Sequence, residues 1–325
     1  MLRANRIVIS RKGFDSTAGG VASPIIDGRL VSLPIPEEDP VVCDDDHIAY
    51  EDLGHQDNLP TIASIVRSLT KGKEKEWSDE HKVHLDPDLR SSLRSKKASS
   101  EANKTYLFGQ SGGAQAELDA VKSDGIRVDA GDLFLFFGWF KDAQVDKDGI
   151  CRYKRGAKDK HVLWGWLEVG RRWDLMDKQT LALLQSTPKY NHHPHVSHPG
   201  RRTTNILYES TTALSFHPDL PGAGLFDNYT SELCLTSLGG TRAKWELPGF
   251  FRDVKVARFK FKNWESVDSG QSIVPPERCK GCGAASQGQE FIFDPKAIHA
   301  DKIEQWVLSK FDHLRKSTVL SSPQH

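Results

Sequence analysis

No stretch of this chain comes near the roughly 20 consecutive apolar residues that a bilayer-spanning helix requires. The apolar run behind Met1-Leu2-Arg3 is too short for a secretory signal. Cysteine is scarce: five among 325 residues, an odd number and widely scattered, which argues against a disulfide framework and for a reduced compartment. The expectation is an intracellular protein, cytoplasmic or nuclear, with no membrane partner. Charge of one sign is missing as well. Lysine plus arginine and aspartate plus glutamate each total 44, so the formal net charge is zero. A non-specific nucleic-acid coat is normally basic, so contacts with a nucleotide or with DNA would be local. The basic clusters, such as Arg152 to Arg155 and Arg171-Arg172, read first as solvated loop charge. Internal repeats are also absent.

What is abundant is concentrated between Ile126 and Gly170. Leu133 to Phe140 reads Leu-Phe-Leu-Phe-Phe-Gly-Trp-Phe, and after a polar, basic loop His161 to Gly170 reads His-Val-Leu-Trp-Gly-Trp-Leu-Glu-Val-Gly. Both runs are aromatic, too short for a globular helix and bounded by Gly, Asp or Lys. They predict two strands, the first buried on both faces because it does not alternate. Gly138 and Gly165 inside them predict a bulge, a bend, or room for another backbone or a ligand.

Elsewhere the pattern predicts strands at Arg6–Ser10, Pro24–Ile26 and Leu30–Leu33 (around an Asp27-Gly28 turn), Thr105–Phe108, Asn205–Glu209, Ser231–Thr236, Val254–Phe261 and Gln289–Phe293. Helical spacing appears at Pro60–Leu69, with Thr61 or Asn58 as its cap, and at Ala114–Ser123, Leu175–Leu184 and Ile303–Leu314. Pro34 to Asp46 reads as a surface excursion, Asn191 to His198 as a histidine-rich loop, and Pro221 to Gly224 as a turn. The fold class is α+β: a curled mixed or antiparallel central sheet, or partial barrel, with flanking helices. One large domain spans 5–315, with mobile insertions near 37–47 and 70–104 and a polar tail at 316–325.

Several strings resemble a known family. They are Arg11-Lys12-Gly13-Phe14-Asp15-Ser16, Leu30 to Pro36, His84-Leu85-Asp86-Pro87-Asp88-Leu89, Phe108-Gly109-Gln110 with Gln115, Gly131 to Trp139, and Gly288-Gln289-Glu290-Phe291. Together they are similar to the nucleotide-modification-associated domain of the third type, a family linked to DNA-base hypermodification. The resemblance runs over nearly the whole chain and implies a role near modified nucleotides.

Five constellations carry chemistry. His84-Leu85-Asp86 has the spacing that lets an imidazole and a carboxylate converge, and His193 or His195 would complete a two-histidine, one-carboxylate face for Fe(II) or another divalent metal. Arg201 or Arg202 would then hold a carboxylate cosubstrate. This resembles the pattern of iron- and 2-oxoglutarate-dependent oxygenases, some of which oxidise DNA bases. The bland reading gives Asp86 and Asp88 turn or cap hydrogen bonds around Pro87. Gly109-Gln110-Ser111-Gly112-Gly113 satisfies the spacing of a nucleophile elbow, with His299 available. It lacks an upstream oxyanion loop and parallel strand–helix alternation, so an anion seat or plain turn chemistry competes.

The loop after the first strand offers Asp15 as acid/base or orienting residue, Arg11 and Lys12 as anion contacts, and Ser16; a turn with a solvated Arg-Lys pair is the alternative. Cys279-Lys280-Gly281-Cys282 has no second pair for zinc and reads as a flexible loop. Among the aromatics, Trp139, Phe140, Trp164 and Trp166 are placed to stack on an extruded base, and one or two of them are expected to line a pocket: Trp139 and Trp166 are favoured, with Gln110 reading the base edge.

The sequence favours an enzyme that modifies a nucleotide or DNA base. Asp15, Asp86 and Asp88 would be catalytic. Arg11, Lys12, Ser16, Gln110, Trp139 and Trp166 would bind substrate, and His84, Asp86, His193 and His195 a divalent metal. The alternative is a non-catalytic module that binds modified bases.

Overall fold

The computed structural model describes residues 6–37, 48–54, 58–89, 106–119, 127–200, 203–252, 265–266, 278–283, 290–293 and 300–320. In chain order these form β1 (Ile7–Arg11), β2 (Ser23–Ile26), β3 (Arg29–Leu30), β4 (Ile35–Pro36), α1 (Ile62–Thr70), β5 (Val83–His84), β6 (Leu107–Ser111) and α2 (Gly112–Asp119). There follow β7 (Leu133–Val145), β8 (Cys151–Tyr153), β9 (Asp159–Asp174), α3 (Lys178–Gln185), α4 (Pro194–Ser197), β10 (Asn205–Ser210) and β11 (Ala223–Leu225). The last are β12 (Lys244–Pro248), β13 (Glu265–Ser266), β14 (Arg278–Gly283), β15 (Glu290–Phe293) and α5 (Ala300–Leu320). The class is α+β, with a mixed sheet as its core. No helix among the described residues is long and apolar enough to cross a membrane.

The two aromatic runs pair as the antiparallel hairpin β7–β9, from Leu133 opposite Glu168 to Lys141 opposite Asp159. Leu133 to Phe137 are all fully buried, so both faces of the strand are covered. Around this hairpin the sheet runs in the order β15-β1-β7-β9-β10-β6. β1 and β2 both pair with β7 in parallel, β1 along Leu133–Phe137 and β2 along Phe140–Ala143. Between them the chain leaves the ladder as the Lys12–Ala22 loop. Gly138 makes that departure possible: a Cβ there would lie 2.9 Å from the Lys12 carbonyl oxygen, closer than real Cβ contacts come.

The sheet curls until its edge strands face each other. Among the described residues they are joined by side chains rather than by a backbone ladder, and no barrel closes: the Gln110 amide of β6 donates to Glu290 Oε1 of β15 at 2.7 Å. Inside the curl, Phe108, Phe134, Phe136 and Tyr208 form an aromatic column with ring centroids 5.0 to 5.8 Å apart, and Trp164 continues it 5.9 Å from Phe136. On the outside, α5 buries Ile303, Trp306, Val307 and Phe311, the face that its spacing predicts. α1 starts where the Thr61 hydroxyl accepts the Ser64 N–H, so Thr61 and not Asn58 is the cap.

Several expectations are corrected. Residues 221–224 are not merely a turn, since Ala223–Leu225 adds a short strand to β9. Ser231–Leu233 is a 3-10 turn rather than a strand. The basic loop of the central hairpin contains β8, which folds back on β7. The Cys279–Cys282 string is not a loop: its backbone lies in β14, paired with β12 and β13. Ile35–Pro36 is no surface excursion but pairs with β5, and Trp77, within an expected insertion, is buried with its indole donating to the Gly19 carbonyl. The tail expected from 316 begins later, since α5 runs on to Leu320; residues 38–47, 90–105, the strand expected at 254–261, Arg201, Arg202, His299 and 321–325 lie outside the described residues.

Candidate metal centre

Three chain segments meet at one point. The β4–β5 ribbon pairs Ile35 with His84 and sets Glu37 beside it. Asp86 follows two residues later and is brought against β6, where its Oδ1 accepts the Gly109 N–H at 2.8 Å. The third segment is the histidine run, where α4 seats His195 against β10. As a result, ligand atoms of His84, Asp86 and His195 all lie within 4.8 Å of one another.

Hydrogen bonds fix the orientation of each group. The Asn205 amide NH₂ donates to the His195 carbonyl at 3.1 Å, so its oxygen faces the His195 ring, 2.6 Å from Nδ1. His195 Nδ1 therefore carries a proton, and Nε2 is turned to Asp86 Oδ2 at 3.3 Å. His84 repeats the arrangement: its Nδ1 sits 2.9 Å from Glu37 Oε2, and its Nε2 is 3.9 Å from Asp86 Oδ2. An acceptor on Nδ1 that leaves Nε2 pointing inward is how metal-ligating histidines are usually held. His193 differs. Its Nδ1 accepts the His195 N–H at 3.3 Å, which puts its own proton on Nε2, 3.5 Å from Asp86 Oδ1. It supports the carboxylate rather than offering a lone pair.

The charge states suit a cation. Burial would raise the Asp86 carboxyl, but hydrogen bonds and charge from His193 and His195 overcome this and hold it well below the usual carboxylate range. Burial pushes the His195 imidazole down to about 4, against the opposing pull of Asp86. An ionised carboxylate is the ligand form that a metal takes. Metal–ligand bonds of ~2.1 Å put neighbouring ligands at roughly 3 Å, so the set, now spread over up to 4.8 Å, would have to draw together by up to about 2 Å.

Beside the centre is a shallow cleft with an enclosed space of about 20 Å³, room for about one water, lined by Gly13, Ser32, Pro34, Leu85, Asp86, Pro87, Leu89, Trp164 and Leu225. Lys12, the residue before the cleft's Gly13, has its Nζ 3.3 Å from Glu290 Oε1, the same oxygen that accepts from Gln110, and 4.8 Å from the Phe108 ring centroid. Glu290 is fully buried, and burial raises its carboxyl against these partners.

The remaining expected site residues fall elsewhere. Asp15 is committed to its own turn, accepting the Thr17 and Ala18 N–H groups and pairing with Arg11 at 2.9 Å, while Ser16 is exposed. Burial would raise the Asp15 carboxyl, but these partners keep it below its ordinary value. Asp88 is buried with Oδ2 3.5 Å from His192 Nε2, next to the centre but not among its three ligands. Trp139 is half-buried, donates to Asp159 and lies under the Arg242 guanidinium, 4.0 Å from its ring centroid. Trp166 packs in the core between Phe226 and Phe311 and donates to the Pro221 carbonyl. Neither of these tryptophans lines the cleft; Trp164 does. Glu37, Asn205 and Glu290 complete the arrangement, and only Glu290 stood in a string already singled out. In the Gly109–Gly113 string, β6 is an edge strand paired antiparallel with β10, not the parallel setting of a nucleophile elbow. Gly109 is needed for space, because a Cβ there would sit 2.4 Å from the His195 ring.

Two imidazoles and one carboxylate thus converge on a curled α+β sheet beside the cleft. The family model described as nucleotide modification associated domain 3 matches residues 6–294, and the chain belongs to that family. No curated protein and no solved structure matches it.

Proposed function

We propose that this protein is a metal-dependent enzyme that modifies a nucleotide or a DNA base in the cleft beside His84, Asp86 and His195. The observation that carries the reading is the pre-set orientation of the three groups. Each has its outer atom engaged, by Glu37, by Gly109 or by Asn205, and turns its other atom to a common point. Side chains held only for packing would have no need of three separate anchors. A redox-active or Lewis-acidic divalent ion held by two histidines and one carboxylate keeps coordination positions open for substrate. The chain's own contribution is to hold the ligands, to keep Asp86 ionised, and to wall the site with Pro34, Leu85, Pro87 and Leu89 against water.

The test is elemental analysis of protein purified without chelator or nickel, wild type beside His84→Ala and His195→Ala, followed by mass spectrometry of nucleosides from DNA and free nucleotides incubated with the loaded protein. The expected result is close to one metal per chain, lost in both variants, and a new nucleoside made only by the wild type. Zinc lost only on Cys279→Ala would mark a separate structural site. Absence of metal from freshly purified and reconstituted protein alike would overturn the reading, and binding of nucleotide without turnover would leave the base-binding module in its place.

A further inference from the structure

The outer part of the central hairpin carries more positive charge than the fold uses. Three of its acids are taken up by three of its cations: Asp142 pairs with Lys160, Asp146 with Arg152 and Asp159 with Lys141. Lys154, Arg155 and Lys158, in the turn between β8 and β9, are left over. All three are exposed, and none has an ion pair, a side-chain hydrogen bond or a ring contact among the described residues. The chain as a whole balances 44 cations against 44 acids. Three like charges so close together repel one another and contribute nothing to the fold.

These charges stand on a fixed frame. The Lys154 N–H donates to the Asp142 carbonyl and the Ala157 N–H to the Lys154 carbonyl, each at 3.0 Å, and Gly156 supplies the positive φ of 75° within the turn. One residue earlier, the Tyr153 hydroxyl donates to the Ala22 carbonyl at 2.6 Å. A turn ordered in advance gives up little freedom when a partner binds.

The place of the turn sets the size of that partner. Asp142, its anchor, stands four residues along β7 from Gly138. A Cβ at Gly138 would touch Trp164 and the Lys12 carbonyl, and Trp164 and Gly13 line the cleft. At ~3.3 Å per strand residue, the anchor is about 13 Å from that wall. One nucleic-acid strand places a phosphate every ~3.4 Å along a duplex axis, so about four nucleotides cover the distance, more than a lone nucleotide offers. Two ammonium groups and a guanidinium suit phosphate oxygens, the first as point charges and the second as a two-pronged donor. Besides them the turn holds only Gly156 and Ala157, which give it no apolar side chain to sink into a lipid surface.

We infer that the Lys154–Lys158 turn is a docking surface for the phosphate backbone of a nucleic-acid strand, and that the protein works on a polymer rather than on a free nucleotide. The inference rests on the nucleotide reading above and not on the metal.

The experiment is fluorescence anisotropy with the full chain and a labelled DNA oligonucleotide, single-stranded and duplex, over a series of salt concentrations. The turn variant combines Lys154→Ala, Arg155→Ala and Lys158→Ala. A control variant combines Lys71→Ala, Lys73→Ala and Lys178→Ala, which removes the same charge from exposed positions off the hairpin. Melting curves show that both are folded. The turn variant should bind about tenfold more weakly, with a slope of log affinity against log salt shallower by about 2 to 3, the share of three phosphate contacts. The control should stay close to wild type, and deoxynucleoside monophosphates should bind wild type and turn variant alike.

Equal losses in the turn variant and the control would overturn the inference, because net charge alone would then account for them. So would oligonucleotide affinity unchanged by the turn variant, or a wild type that binds no oligonucleotide at low salt. Turn-dependent binding to phosphatidylserine vesicles but not to oligonucleotides would hand the surface to a membrane. Strand binding through the turn by protein that makes no new nucleoside would leave the inference standing and remove the enzyme reading. A new nucleoside made from free nucleotides, with no strand binding through the turn, would do the reverse.

Discussion

Gly109→Ala is the sharpest perturbation of the candidate centre. The added Cβ would stand 2.4 Å from His195 Cγ and Cδ2, whereas ordinary contact begins at 3.4 Å, so the ring must retreat by about 1 Å. The imidazole has little room to do so, since Asn205 grips both its Nδ1 and its backbone carbonyl. A metal–nitrogen bond of ~2.1 Å tolerates errors of only about 0.2 Å. A retreat of that size therefore breaks the bond or strains it severely. Disturbing an outer partner costs 10–100-fold in metal affinity, and displacing a ligand should reach at least the upper figure, about 100-fold or ~2.7 kcal/mol. The assay is a competition titration against a chromophoric chelator, with thermal melts to show that the variant is folded. Gly113→Ala is the control from the same string: a Cβ there meets nothing within 4 Å, and it lies in α2, where alanine is favoured. Equal metal affinity of Gly109→Ala and wild type, with unchanged melting, would refute the reasoning.

Two further predictions concern stability. His161 is buried and accepts the Trp245 indole proton on Nδ1 at 2.9 Å; burial, aided by the charges of Arg242 and Arg11, pushes its imidazole from 6.5 down to about 3. The fold holds it neutral, so its contribution is complete above pH 6.5 and is lost as pH falls from there towards 3, at roughly 1.4 kcal/mol per pH unit. His161→Asn keeps an acceptor without the titration, so between pH 7.5 and 5 the wild type should lose about 2 kcal/mol relative to it in urea unfolding, and parallel profiles would exclude this. Trp166→Ala should cost about 3–5 kcal/mol, because it empties the space between Phe226 and Phe311, while metal affinity in any folded fraction stays unchanged.

The central hairpin was legible because its runs are strongly apolar, short and bounded, a pattern that only a covered strand satisfies. The first helix and its Thr61 cap were legible for a similar local reason. The choice among the tryptophans was not. Counting alternate positions along a strand fails when the register slips, and the β7–β9 ladder slips between Phe136 and Phe137. That irregularity, beside Gly165, helps put Trp164 with the inner column while Trp166 faces α5. The pairing of His84 with Asp86 was readable from their spacing, whereas Glu37 and Asn205 reach the histidines from 47 and 10 residues away and carry no local signal. The Lys12 and Gln110 positions were singled out, but their shared partner Glu290 could be assigned only once β15 was seen to lie opposite β6. Asp15 is the opposite case: a charged residue in a glycine-rich loop looks chemical, and the structure shows its carboxylate tying its own turn.

The bridge between Gln110 and Glu290 has a consequence for how the cleft is dimensioned. Backbone ladders come in one spacing, but a gap spanned by two side chains is as wide as those side chains are long. One bank of this gap carries Lys12 and then Gly13; the other carries Gln110 and, one residue earlier, the Gly109 amide that holds Asp86. The two walls of the cleft are thus moored to opposite ends of the same strut. Glutamine and glutamate act here as a gauge block, and shortening either by one methylene would reset the width of the chamber without altering a single strand.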